Sequence, residues 1–168
     1  MKRLPHQLLL GAVCALLVAP VAAAGTVKVD WIAPDTYTDA GTTRWGERDN
    51  LRELGQHLQR LGERHLRAGE ELRIDVVDVD LAGWVRPSRA TGTDLRIVRG
   101  GADWPRIGLR YSLLVNGKLV KSGSETVADM DYSRRVGHLR GTEPLHHEKQ
   151  MLERWFRATF APQQAALN

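Results

Sequence analysis

Leu72-Arg73-Ile74-Asp75-Val76-Val77-Asp78-Val79-Asp80-Leu81-Ala82-Gly83 is the longest run in the chain whose residue types all suit one backbone conformation, and it predicts a central β-strand. Leu72, Ile74 and Val76 alternate in one phase, whereas Val77, Val79 and Leu81 alternate in the other. The apolar face changes side between two adjacent valines, which calls for a β-bulge or for burial on both faces. The second half of the run puts Asp78 and Asp80 on a shared face, roughly 6.5 to 7 Å apart by strand rise and close to the strand end. That pair is the first candidate for chemistry.

Upstream of this strand, Thr26 to Ile32 alternates Val27, Val29 and Trp31 against Lys28 and Asp30, the pattern of a short strand. Asp35 to Thr43 reads as a long loop, and Tyr37 and Trp45 are expected to pack this region onto the core. From Arg48 to Ala68, Leu51, Leu54, Leu58 and Leu61 recur at helical spacing and Leu66 continues the stripe, so an amphipathic helix closed by Gly69 is expected. Gly55 and Gly62 weaken such a helix by roughly 1 kcal/mol each relative to alanine, which points to close approach of the helix to the sheet. Strand, helix and strand then form a β-α-β unit with parallel strands.

Downstream, Trp84 to Thr93 reads as a loop, Leu95 to Arg99 as a strand, and Ile107 to Val115 as an unbroken alternation. Asn116-Gly117 suits the positive φ angles of a type I′ hairpin turn, which sets Leu113 opposite Val120. Lys118 to Val127 returns as a strand at the sheet edge. After a polar connection from Asp129 to Thr142, Leu145, Leu152, Trp155, Phe156 and Phe160 make the buried stripe of a second helix that Pro162 stops. The order β-α-β-β-β-β-α predicts a two-layer α+β domain. Its mixed, mostly antiparallel sheet has about five strands, with both helices packed on one face.

Composition bounds what such a domain can do. Hydrophobic residues make up 42% of the chain and charged residues 26%, which is the usage of a folded globular protein. Lys2 and Arg3, the apolar run Leu8 to Val21 and Ala22-Ala23-Ala24 have the pattern of a secretory signal peptide cleaved after Ala24. Residues 25–161 would then form one domain and 162–168 a frayed tail, in a periplasmic or secreted protein. Removing Lys2 and Arg3 takes the 24 basic side chains to 22 against 20 acidic ones, a formal charge of +2. So balanced a chain argues against nucleic-acid binding. Cys14 is the single cysteine and falls in the apolar run, so the exported form has no thiol chemistry.

Five phrases recur in the order known from one family: Tyr37-Thr38-Asp39-Ala40, Asp78 to Gly83, Trp104-Pro105-Arg106, Asp129-Met130-Asp131-Tyr132, and Glu148-Lys149 with Met151-Leu152 and Trp155-Phe156. Together they resemble the exported bacterial family catalogued as domain of unknown function 3016, over Val27 to Phe160. His147 departs from the aromatic residue that the family places before Glu-Lys. The resemblance implies an envelope location and a single domain, and it implies no activity.

Two Asp-x-Asp phrases, Asp78/Asp80 and Asp129/Asp131, would bind a hard divalent cation through oxygen if their loops converged. The competing expectation is that the aspartates cap turns or pair with Arg96, Arg99, Arg106 and Arg110. His146-His147-Glu148 lacks the second histidine four residues on that a zinc-protease helix needs, because position 151 is Met. Zinc held by His138, His146 and His147 is the remaining arrangement of that kind. Ser122-Gly123-Ser124 is not a nucleophile elbow, and no catalytic residue is nominated. Trp84 and Trp104 stand in or beside loops next to arginine, placed to stack on a sugar ring or anchor a protein interface. The expectation is a non-enzymatic module that binds a protein or glycan of the envelope through Asp78, Asp80, Trp84, Trp104, Arg106, Asp129 and Asp131. A metal-dependent or serine-type hydrolase is the alternative.

Overall fold

The computed structural model describes residues 24–87, 94–98, 102–134 and 144–161. In chain order these form β1 Thr26–Trp31, a 3-10 turn Pro34–Thr36, α1 Arg44–His65, β2 Glu70–Asp80, β3 Trp84–Pro87, β4 Asp94–Ile97, β5 Arg106–Val115, β6 Lys118–Ala128 and α2 His146–Phe160. The main sheet has the order β1-β2-β5-β6, with β1 parallel to β2 and the other neighbours antiparallel. The expected α+β class and parallel β-α-β unit are present. The strand expected around Leu95 does not join the main sheet. It pairs instead with β3, which falls in the segment Trp84 to Thr93 read from sequence as loop, in a separate two-stranded ribbon. Trp84-Val85-Arg86-Pro87 is too short to show a period, and a proline is tolerated at the end of such a ribbon.

The change of phase in β2 is a bulge. Val76 pairs with Leu109 and Asp78 with Gly108, so Val77 is the additional residue. Val76 and Val79 are fully buried on one side, whereas Val77 is 39% exposed. The glycine opposite the bulge matters, because a Cβ at Gly108 would come within 3.3 Å of Val77 Cγ2. One extra residue thus keeps Leu72, Ile74, Val76, Val79 and Leu81 all facing the helices. Asp78 and Asp80 are turned to the open side.

Both helices cover the same side of the sheet. Leu54, Leu58 and Leu61 of α1 and Met151, Leu152 and Phe156 of α2 share one core with β2 and β5. Each such side chain contributes roughly 1.5–3 kcal/mol by leaving water. α1 starts four residues before the expected Arg48, because Thr43 caps it by accepting a hydrogen bond from Gly46 N–H. It ends at His65 with Leu66 as C-cap, so Gly69 (φ +80°) shapes the turn into β2 instead of closing the helix. Gly62 lies against β1 so closely that a Cβ would sit 2.3 Å from Val27 Cγ2. Close approach of the helix is therefore needed there. At Gly55 the nearest atom, Trp31 Cζ2, is at an ordinary 3.5 Å.

Two polar contacts tie the helices together. The buried His57 places Nε2 2.9 Å from the main-chain oxygen of Lys149, and Lys149 Nζ reaches Glu53 at 3.1 Å. The hairpin turn has the expected positive φ angles at Asn116 and Gly117. Its register differs by one residue from expectation, with Leu113 opposite Lys121, because Val120 is bulged out of the ladder. No described helix is long and apolar enough to cross a membrane. The apolar run read as a signal peptide and the tail from 162 lie outside the described residues.

Candidate functional site

The bulge delivers Asp78 and Asp80 to the open face at the C-terminal end of β2, and neither carboxylate is left bare. Asp78 accepts hydrogen bonds from Thr38 N–H (2.8 Å) and Thr38 Oγ1–H (3.0 Å). Asp80 is bonded by Arg106 through both Nε and Nη2, on one oxygen. The chain reaches this position because Asp39 forms a parallel bridge to Asp80, in which Asp39 N–H donates to Val79 O and Leu81 N–H to Asp39 O. Tyr37 anchors the same loop from below. Its hydroxyl donates to Val76 O at 2.9 Å, and burial pushes its pKa up to about 12.

Asp39 was quoted in the sequence only as part of a family phrase, yet it is a hub. Its carboxylate takes Arg96 Nη2 on both oxygens (3.2 and 3.0 Å), and Arg96 Nη1 donates to Ala82 O. Ala82 N–H in turn donates to Glu148 Oε1 at 2.7 Å. Glu148 is buried at the third position of α2, where a carboxylate suits the positive end of the helix. This polar chain pins the loop after β1, the ribbon and the start of α2 to the end of β2. A sequence signal for it existed: Glu148-Lys149 interrupts an otherwise apolar stripe.

The second Asp-x-Asp phrase behaves differently. Asp129 is buried, turns toward α2 and is bonded by Arg154. Asp131 is exposed, with Arg134 Nη1 3.9 Å away. Asp78 and Asp80 face the open side while Asp129 faces the helical side. Among the described residues no group of three or more His, Cys, Asp or Glu side chains is placed to hold a metal ion. The competing expectation, neutralisation by turns and arginines, describes Asp78, Asp80 and Asp129. Arg110 contributes likewise, 3.6 Å from Asp75. Arg99 and His138 lie outside the described residues, and the His146 and His147 rings meet edge to face at 5.7 Å, with Tyr132 edge-on to His147 at 4.8 Å.

The fold does bring several nominated residues to one rim. The Arg106 guanidinium stands 5.8 Å from the Trp104 ring centre while it holds Asp80. Gly83 N–H donates to Asp103 O at 2.9 Å, which joins the Trp84 strand to the Trp104 segment. Asp129 N–H donates to Pro105 O, and Tyr132 O–H to Asp103 Oδ1, so the Asp129 turn closes the same end. Trp84 is 45% exposed and Trp104 is partly buried. One exposed aromatic was misread from sequence: Trp45 does not pack on the core but is 74% exposed on the first turn of α1, with Arg48 over its ring at 4.5 Å.

A family model described as Protein of unknown function (DUF3016) matches residues 25–158, and the chain belongs to that family. No curated protein and no solved structure matches it.

Proposed function

We propose that this member of the DUF3016 family is an exported, non-enzymatic module that binds a protein or glycan of the cell envelope through the Trp84, Trp104 and Arg106 rim. One observation carries the reading. At the end of the sheet the acidic groups are already engaged, Asp78 by Thr38, Asp80 by Arg106 and Asp39 by Arg96, while the Trp84 indole stands 45% exposed on a short ribbon. A carboxylate held by a guanidinium must break a charge-assisted pair before it can ligate a cation or accept a proton. An indole loses little conformational freedom on binding and offers both a flat apolar face and an N–H. Trp104 adds a second indole at the same end of the sheet, with the Asp80-bound Arg106 guanidinium 5.8 Å from its ring centre, a combination that suits a sugar ring or an apolar side chain. Export is supported by Lys2, Arg3, the apolar run to Val21 and Ala22-Ala23-Ala24.

The test is photocrosslinking in intact cells from a probe placed at Arg86, two residues along β3 and on the same exposed face of the ribbon as the indole, with the crosslinked species identified and its affinity measured on purified components. Trp84→Ala should weaken binding by about 30-fold, the effect of losing one hot-spot aromatic, without lowering the melting temperature. Equal binding by the wild type and Trp84→Ala would remove this rim from consideration.

A further inference from the structure

β6 is an eleven-residue strand at the end of the main sheet, and among the described residues no strand lies along its outer edge. Nearly all of it is exposed, including Leu119 at 56% and Val120 at 54%. A row of unpaired main-chain donors and acceptors of this length is a template for another strand.

Its residue order is self-complementary. The strand runs Lys118-Leu119-Val120-Lys121-Ser122-Gly123-Ser124-Glu125-Thr126-Val127-Ala128, with Gly123 at its midpoint. An antiparallel copy related by a two-fold axis through Gly123 sets Lys121 opposite Glu125, Ser122 opposite Ser124, and Glu125 opposite Lys121. Lys121, Gly123 and Glu125 pair with Leu113, Tyr111 and Leu109 of β5, so all three face the helical side. The two charges are already held toward that side. Lys121 Nζ donates to Thr159 O at 2.9 Å, and Glu125 lies beside the Tyr111 hydroxyl. Little side-chain freedom remains to be lost on pairing. Gly123 has its own part, since the Tyr111 ring fills the space where its Cβ would be, 2.7 Å away. A glycine on the axis lets the tyrosines of both copies lie over the junction.

We infer that this edge is a homodimer interface, in which two copies join β6 to β6 about Gly123 into one continuous sheet with two symmetry-related Lys121–Glu125 pairs. Such an interface is isologous and closes on itself. The bulge at Val120 ends the regular run, so the main-chain pairing is confined to Lys121–Glu125 and its immediate flanks, and the dimer is weak. Leu119 and Val120 then lie against the Thr126 to Ala128 end of the partner strand, which covers the exposed apolar pair.

Sedimentation velocity over a concentration series, on protein recovered from cells expressing the full chain, tests this. The wild type should associate reversibly to a dimer. Lys121→Glu alone or Glu125→Lys alone sets like charges opposite each other at both positions and should weaken association about tenfold or more. The double variant Lys121→Glu/Glu125→Lys should recover wild-type association. So should an equimolar mixture of the two single variants, where an acidic edge meets a basic one. Both substituted positions are exposed edge sites, and unchanged circular dichroism would show that the variants fold. A wild type that stays monomeric at every concentration overturns the inference. So does a dimer that ignores the single exchanges or is not restored by the double one.

Discussion

His57 Nε2 lies 2.9 Å from the main-chain oxygen of Lys149, a contact that joins α1 to α2 inside the core. A carbonyl oxygen only accepts, so Nε2 carries the proton and donates. Burial lowers the pKa of this imidazole from its ordinary value near 6.5, more than the Lys149 carbonyl raises it. The folded state therefore favours the neutral ring. Below the ordinary histidine value the unfolded chain takes up a proton that the folded chain resists, so stability falls with pH through that window and levels off once both states are protonated. Melting temperature should drop as pH is lowered from 7 through 6.5. His57→Gln, which keeps a donor, should flatten that part of the curve.

At the alkaline end Tyr37 has the opposite sign. Its pKa is raised, mainly by burial, from 10.0 to about 12. Its contribution is complete below pH 10, where the phenol is neutral in both states, and is lost as pH rises toward 12. Tyr37→Phe should lose about 1 kcal/mol at neutral pH through the missing bond to Val76 O, and should show a shallower decline above pH 10. Urea melts at pH 7 and pH 10.5 measure both.

Gly62 and Gly55 lie on the same helix and should respond in opposite directions to alanine. At Gly62 a methyl group would meet Val27 Cγ2 at 2.3 Å, so α1 must shift from β1 at a cost of about 1–3 kcal/mol that outweighs the gain in helix propensity. At Gly55 the contact is ordinary, and Gly55→Ala should stabilise by up to about 1 kcal/mol. Chemical denaturation of the two variants decides it. A Gly62→Ala protein as stable as the wild type would mean that the helix is not held so close.

The Arg154 guanidinium bonds the buried Asp129 carboxylate. Arg154→Met should cost about 1–3 kcal/mol, because a buried carboxylate loses a charge-assisted hydrogen bond. Asp129→Asn in the same chain should recover part of that loss. Additive effects of the two substitutions would argue that the pair is not coupled.

The candidate site was only partly legible in the chain. Asp78 and Asp80 announced themselves by alternation near a strand end, and Trp84, Trp104 and Arg106 by their position beside loops. The structure gathers these residues at one end of the sheet. The separation of Asp129 from the other carboxylates could not be read. It depends on Asp129 turning toward α2 and Arg154, twenty-five residues away. Asp39, Arg96 and Glu148 were missed as a connected chain for the same reason, since each link is a contact between distant segments. Trp45 was misread because a tryptophan next to a loop is ordinarily buried, whereas Thr43 starts α1 early enough to carry this one outward.

Local pattern by itself determined the α+β class, the parallel β-α-β unit, the type I′ turn at Asn116-Gly117 and the apolar faces of both helices. Each of these follows from residue spacing of two or about 3.6 and from the φ angles that glycine and asparagine tolerate. Tertiary structure alone decided that β3 and β4 leave the main sheet, that Val120 slips the hairpin by one residue, and that Asp80 and Asp129 each meet an arginine where they stand. Those outcomes are settled by which distant side chain occupies the space or supplies the opposite charge, and such neighbours carry no periodic signal in a single sequence.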